Sequence, residues 1–438
     1  VAPRPLRFIH AGDLALHQPV GGLAEIPDRL IDLLWKAPYR TAERLADLAL
    51  AEAVDFVLLC GEQVLPERSG PRGPLALCQQ FERLRQHGIR VYWAGAPAWP
   101  AAFALPDNVY RFPRDRVAEV YHHREQQPVA RIVGCGSAFQ AAGDLMLGAS
   151  PLFTIAVCPE MPGRVAHGTV DYWACGGQAG ALGGAWPLSA AGGLAQGGGT
   201  LAAGEAVSMP GMLGASGAGK AASSDAVPNV FQAGKLQGRS PREVGPHGCL
   251  VATVGESGRD VVATFVPCDA LRWLHIRLPV EKSTTREELV RAMELRVSEA
   301  QAGCRDLPLL YTVTLSGAGV PHELRSEACR HAVAAMLRQQ GASAPAWCVS
   351  IQVEPDATAL ARALEEDTLL GMYLRAVGGL LEQQETGGDM PDIAADLPEE
   401  AQSLAPLVRL AGQAGCQRVL REAAALGLSV LSAEEPLA

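Results

Sequence analysis

A carboxylate stands at the end of the first apolar run of this chain. Arg7-Phe8-Ile9-His10-Ala11-Gly12-Asp13 passes from strand-forming residues through a small-residue turn to Asp13. A second acid, Glu62, follows the apolar run 55–60 and Gly61. Carboxylates and imidazoles at strand ends are the raw material of divalent-metal centres, which activate water and neutralise charge on phosphorus. Such a centre needs several ligands converging from different loops. Here the partners are thin. The position two residues after Asp13 is Ala15, and His17 lies two further on. His10 precedes the turn and reads as a packed core histidine. Cys158 and Cys175 end two more apolar runs. With His17 they offer zinc-type ligands, but without a recognised zinc spacing. His122 and His123 fall in a strand-like segment and read as surface residues.

The elements that must position these groups come from periodicity. Over the first 175 residues, strand and helix signals alternate. Strands are expected at 6–11, 55–60, 89–94, 129–134, 153–158 and 172–175, with helices at 41–53 and 75–87. That order implies an α/β layer with its ligand-binding loops at the strand C-terminal ends. Residues 248–254 and 260–266 read as a hairpin around Gly255-Glu256-Ser257-Gly258. Further strands are expected at 271–278, 309–316 and 347–352. Helices are expected at 284–301, opened by a Thr284–Glu287 capping box, and at 322–339. From residue 358 the pattern is helical. Leu369, Leu370, Met372, Leu374, Leu380 and Leu381 give that segment more apolar surface than one isolated helix can hide; a second helical stretch at 401–426 or a partner could cover it.

Composition narrows the classes. The net charge of −10 argues against a protein that coats nucleic acid generally, because that affinity rests on phosphate neutralisation. A local basic groove remains open. Arg83, Arg85 and Arg90, with Arg111, Arg114 and Arg116, are the candidate patches, and solvated faces are their simplest reading. The eleven cysteines form no CxxC pair and read as buried free thiols of a reducing, cytoplasmic setting. No signal peptide is expected at residues 1–7, and no stretch has the roughly 18 apolar residues of a membrane span. The segment 176–235 is dominated by Gly, Ala and Ser and reads as a mobile insertion. Within it, residues 214–221 nearly match a phosphate-binding loop. They lack the Ser or Thr for a metal and any preceding strand, so the match reads as chance.

Taken together, the opening run, Gly21-Gly22-Leu23, Ala37-Pro38-Tyr39-Arg40, the run 54–61, Asp171-Tyr172-Trp173-Ala174 and the Gln237-Gly238-Arg239 to Gly248-Cys249-Leu250 frame resemble the SbcD-type DNA exonucleases. These are a branch of the calcineurin-like metallophosphoesterases. The resemblance implies a four-layer αββα sandwich over 1–268, a small α/β capping domain at 269–353 and a helical partner-binding segment at 354–438. It also implies two metal ions, usually manganese, held by five motifs. Each motif is altered here. Asp-x-His becomes Asp13 and Ala15. Gly-Asp becomes Gly61-Glu62, a methylene longer. Gly-Asn-His-Asp becomes Gly95-Ala96-Pro97-Ala98. The histidine after the strand 153–157 becomes Cys158. Gly-His-x-His becomes Gly176-Gly177-Gln178-Ala179.

The expected ligand positions Ala15, Ala96, Pro97, Cys158, Gly177 and Ala179 are therefore lost, and Asp13 and Glu62 are remnants. Both remnants read first as acceptors for loop amides and second as a residual single-metal site. His17 is expected to point elsewhere. No cofactor is expected and no catalytic residue is intact, which weighs against an enzyme. The leading reading is an SbcD-like homologue that has lost two-metal chemistry and serves as a structural subunit of a DNA-processing complex. The resemblance implies an SbcC-type, SMC-like ATPase as the partner of the C-terminal helices; it leaves DNA binding and a homodimer open and gives no membrane role. Two alternatives stand beside it: an active metal-dependent phosphoesterase with a reduced or rebuilt site, and an interaction module for the ATPase without a DNA role.

Overall fold

The computed structural model describes residues 5–23, 26, 28–95, 99–137, 148–160, 169–177, 186–187, 230–255, 258, 260–281, 284–302, 307–317, 319–340, 346–354, 357–385 and 420. Two compact units emerge, one of residues 1–275 with 299–311 and 343–347, the other of 276–298, 312–342 and 348–438.

The first unit is a sandwich of two sheets. One contains β1 (Arg7–Ala11), β2 (Phe56–Cys60), β3 (Arg90–Ala94), β4 (Val109–Arg111), β11 (Gly248–Val254) and β12 (Val261–Pro267), in the order β12-β11-β1-β2-β3-β4. The other contains β5 (Ala118–Arg124), β6 (Gln127–Gly134), β7 (Phe153–Cys158), β8 (Tyr172–Cys175), β9 (Trp186–Pro187) and β10 (Val230–Gln232), in the order β5-β6-β7-β8-β10-β9. The strands β1 to β4 run parallel. Parallel neighbours need crossovers, and α1 (Asp28–Ala51) and α3 (Arg72–Gln86) supply two of them; the short α2 (Pro66–Ser69) precedes α3.

Alternation along the strands creates the layers. In β2, Val57 and Leu59 join Leu45, Ala49, Phe81 and Leu84 of the helices in one core. Phe56, Leu58 and Cys60 face the other way, into a second core between the sheets. There Phe8 stacks on Phe56 at 5.1 Å and meets Tyr172 edge-on at 5.1 Å, while Tyr172 stacks on Phe231 at 4.6 Å. Such pairs add about 0.5–1.5 kcal/mol each beyond area burial. A third cluster, with Ala156, Cys158, Trp173 and Cys175, lies on the far face of the second sheet. The α/β sandwich is thus present as helix, sheet and sheet; an outer helical layer over the third cluster is not among the described residues.

Several expectations need correction. The helix expected at 41–53 begins at Asp28, with Pro38 inside it. The proline marks a lost backbone donor within the helix rather than its start. His122 is buried, not on the surface. Alternation along β5 places His122 on the inward face with Ala118 and Val120, where its Nδ1 lies 3.1 Å from the Tyr92 hydroxyl, and leaves His123 exposed. The cap of α4 (Arg286–Ala302) uses Thr285 and Glu288, one residue beyond the expected box: Glu288 N donates to Thr285 Oγ1 and Thr285 N to Glu288 Oε2. The segment expected as one helix from 322 is a 3-10 turn at His322–Arg325 followed by α5 (Glu327–Gln340). The second helical stretch, 401–426, lies outside the described residues except for Leu420, and the phosphate-loop look-alike lies wholly outside them.

The β5–β6 hairpin turns on Glu125 and Gln126, both with positive φ, 50° and 69°. Left-handed backbone costs a side-chain-bearing residue roughly 1–2 kcal/mol. Glu125→Asn with Gln126→Gly supplies the favoured pair for this turn and is expected to stabilise the fold by about 1 kcal/mol. A higher urea midpoint at unchanged m-value would register the gain, and a lower midpoint would count against the turn assignment.

A three-stranded sheet has the order β13 (Arg272–Pro279), β14 (Leu309–Ser316) and β15 (Ala346–Val353); the second unit contains its residues 276–279, 312–316 and 348–353, with α4 up to residue 298, α5, α6 (Ala357–Glu365) and α7 (Leu369–Glu385). Ala363 and Leu374 join α6 to α7, with Leu370 and Tyr373 against them. Leu369 and Met372 remain 67% and 52% exposed. No helix among the described residues is long and apolar enough to cross a membrane.

Candidate functional site

The C-terminal ends of β1, β2, β3, β7 and β8 carry the loops in question. The first two loops are zipped together by backbone bonds, Ala15 N to Glu62 O at 3.0 Å and Leu16 N to Gln63 O at 2.9 Å. Gln63, buried, completes the seam. Its Oε1 accepts from Leu14 N at 3.2 Å and its Nε2 donates to Gly12 O at 3.1 Å. Glycine is required where loops touch backbone to backbone. A Cβ on Gly12 would lie 2.2 Å from Ala233 O, and one on Gly95 2.0 Å from Gly61 O.

Asp13 uses its Oδ1 to accept from Glu62 N at 2.6 Å, as its amide-acceptor reading anticipated. Burial raises its pKa, and the bond from Glu62 N opposes that rise. Glu62 reaches outward, 37% exposed. Its pKa is raised by burial and by the charge of Asp13. His17, expected to point elsewhere, instead lies beside it. Its Nδ1 accepts from Leu65 N at 3.1 Å, so the ring proton sits on Nε2. Nε2 is 3.2 Å from Glu62 Oε1, yet poorly aligned for a hydrogen bond. Burial, aided by Arg239 and Arg68, lowers the His17 pKa to about 4, so the imidazole is neutral at neutral pH.

A cation is already supplied by the protein. Arg239 is buried and donates to Ala15 O at 2.8 Å, to Leu14 O and to Gln18 Oε1 at 3.2 Å. The charges of Asp13 and Glu62 act on it, although burial still lowers its pKa to about 10. Lys235 pairs with Glu243 at 2.6 Å, and Glu243 also accepts from Arg239 N at 2.8 Å. Gln63, Arg239 and the Lys235–Glu243 pair were not singled out from sequence. The only hint for Arg239 was its place within the 237–250 frame.

The remaining positions follow. Ala15 is buried with φ 38°. Cys158 and Cys175 are buried with their sulfurs 3.9 Å apart. Gly177 has φ 95°. Ala96, Pro97 and Ala179 lie outside the described residues. His10 is the expected core histidine: Nε2 donates to Cys175 O at 3.2 Å, leaving Nδ1 to accept from the Tyr172 hydroxyl at 3.1 Å. Among the arginine patches, Arg83 pairs with Asp47 at 2.5 Å, Arg85 with Glu82 at 2.7 Å, and Arg111 lies over the Trp93 ring at 4.4 Å.

Among the described residues, no group of three or more His, Cys, Asp or Glu side chains converges as a metal shell. Asp13 spends an oxygen on an amide, the Cys158 thiol ends β7 where the resemblance implies a histidine, and Gly177 stands after β8 where it implies another. The described residues do not fit a two-manganese centre.

The fold is nonetheless a mixed α/β sandwich, consistent with that of a metallophosphoesterase. No family model matches the chain. A curated relative described as the uncharacterized metallophosphoesterase YhaO of Bacillus subtilis (strain 168) is 32% identical over 136 residues, 30% of this chain and 33% of the relative. That similarity supports the calcineurin-like family, and the match spans about a third of the relative's length.

Proposed function

We propose that this chain is an SbcD-like homologue without two-metal phosphodiesterase activity, acting as a structural subunit of a DNA-processing complex. One observation carries the reading. At the strand ends where metals would be held, Asp13 is engaged by Glu62 N, and Arg239 stands buried against the loop that carries Asp13. The protein's own guanidinium supplies the positive charge that balances the carboxylates. Losing one supporting group of a metal site costs roughly 10–100-fold in affinity or activity; losing most of the ligands removes the site. The exposed Leu369 and Met372 on α7 offer an apolar face for an SMC-like ATPase partner.

The test is metal retention and nuclease activity of the full chain in manganese. The expected result is no stoichiometric manganese after dialysis and no hydrolysis of linear duplex DNA above the blank. The charge of Asp13 acting on Glu62 favours the second reading, a reduced single-metal site, in which one cation would join the two carboxylates. Manganese-dependent hydrolysis abolished by Asp13→Ala would establish that reading and end the first.

A further inference from the structure

We propose that Cys158 and Cys175 form a reversible disulfide, making the ends of β7 and β8 an oxidation site of this protein. The two residues are direct partners in the register of adjacent parallel strands. Neighbouring strands lie about 4.7–4.9 Å apart, inside the roughly 4.4–6.8 Å span of Cα atoms that a disulfide bridges. Their sulfurs are already 3.9 Å apart. Both side chains project to the same face of the sheet, into a cluster with Val133, Ala156, Trp173 and Val230.

The surroundings select the product. A disulfide is neutral and suits this apolar cluster, whereas a soft monovalent metal ion held by two thiolates would bury a net negative charge there. Cys60 ends β2 beside Gly176 but faces the core between the sheets, its thiol toward Ala174 O at 3.5 Å. Cys135 shares the cluster, but its sulfur is turned toward Pro113 O, Arg114 O and Ser137. A second close pair, Cys249 and Cys268 at 3.6 Å, is diagonal, because Cys249 opposes Val266. Among the described cysteines, only Cys158 and Cys175 combine direct register with a shared face.

The oxidant is a small peroxide. One thiol, as its thiolate, attacks a peroxide oxygen; the O–O bond breaks and a sulfenic acid and water result. The second thiol then attacks that sulfur and expels a second water. Two thiols lose two electrons and two protons, and hydrogen peroxide takes them up. Burial pushes the Cys158 thiol up and the pair is enclosed, so the reaction waits on brief opening of the strand ends and is slow but selective. Once made, the bond clamps the stems at Pro159 and Gly176 side by side.

The full chain would be exposed to hydrogen peroxide, denatured, alkylated with iodoacetamide and mapped by mass. The expected product is a Cys158–Cys175 linked peptide pair two hydrogens lighter, released by dithiothreitol, with a thermal midpoint above that of the reduced protein. Cys158→Ser and Cys175→Ser should each lower its yield at least tenfold, and Cys60→Ser should leave it intact. Alkylation of both cysteines after exposure, sulfinic acid at either, or linkage to Cys60 or Cys135 would overturn the proposal. The wild-type map alone decides the matter if a variant fails to fold.

Discussion

Asp55→Ala is expected to destabilise the first unit by about 3–5 kcal/mol, the cost of stripping one partner from a buried ion pair. Asp55 begins the turn into β2, and its side chain is almost fully buried. Oδ1 accepts from Arg124 Nε at 3.1 Å, and Oδ2 from Arg124 Nη2 at 2.7 Å and from Arg7 N at 2.9 Å. One carboxylate therefore fastens the start of β1, the start of β2 and the end of β5, joining the two sheets at the edge opposite the strand-end loops. Alanine leaves the guanidinium and an amide without that acceptor. Asp55→Asn retains an acceptor for Arg7 N and is expected to cost less. Urea unfolding gives both values. A loss below about 1 kcal/mol for alanine would class the pair with exposed salt bridges, which contribute little.

Asp55 was readable in the sequence only as a residue before a strand, and that contrast is general here. Where burial on both faces sets the pattern, the sequence was sufficient: β7, β8, β11 and β14 fall on the expected residues because each is a short, almost uninterrupted apolar run. Where long-range contacts decide, it was not. Thr284-Thr285-Arg286-Glu287-Glu288 holds two overlapping capping boxes. The helix turn that buries Leu289, Val290 and Met293 accompanies the second one. His17 beside Glu62 depends on the Leu65 amide, 48 residues away along the chain, which no local period reveals. The strand-like character of 122–123 was visible, but the β5–β6 hairpin was not, because its turn contains neither glycine nor asparagine. At the candidate site the sequence displayed the lost ligands but not what replaces them. Arg239 reaches Ala15 across 224 residues, and only the fold brings them together.

Acidification is expected to remove more stability than any single substitution. His10 is buried between β1 and β8 with its pKa lowered by burial to about 3, and burial lowers that of His122 to about 4. Both imidazoles stay neutral in the fold, whereas in the unfolded chain they take up protons near the ordinary value of 6.5. The unfolded state therefore binds more protons as pH falls, and stability declines from about 6.5 downward. Each group contributes about 1.4 kcal/mol per pH unit, so by pH 4 the two together withdraw on the order of 6 kcal/mol. His17 and His247 are shifted in the same direction. Asp13 and Glu62 act with the opposite sign, since their raised pKa values make protonation easier in the fold. The imidazoles prevail because more of them are buried, and because protonated His10 could no longer accept the Tyr172 hydroxyl that holds β8 against β1. Urea midpoints between pH 7 and pH 4.5 should fall steeply, and His10→Gln and His122→Gln should each flatten the slope by about one proton. Imidazole resonances of His10 and His122 that titrate near 6.5 in the folded protein would defeat this account. Confirmed, the slope would show that His10, three residues before Asp13, holds β8 through Tyr172 and Cys175 as a neutral imidazole.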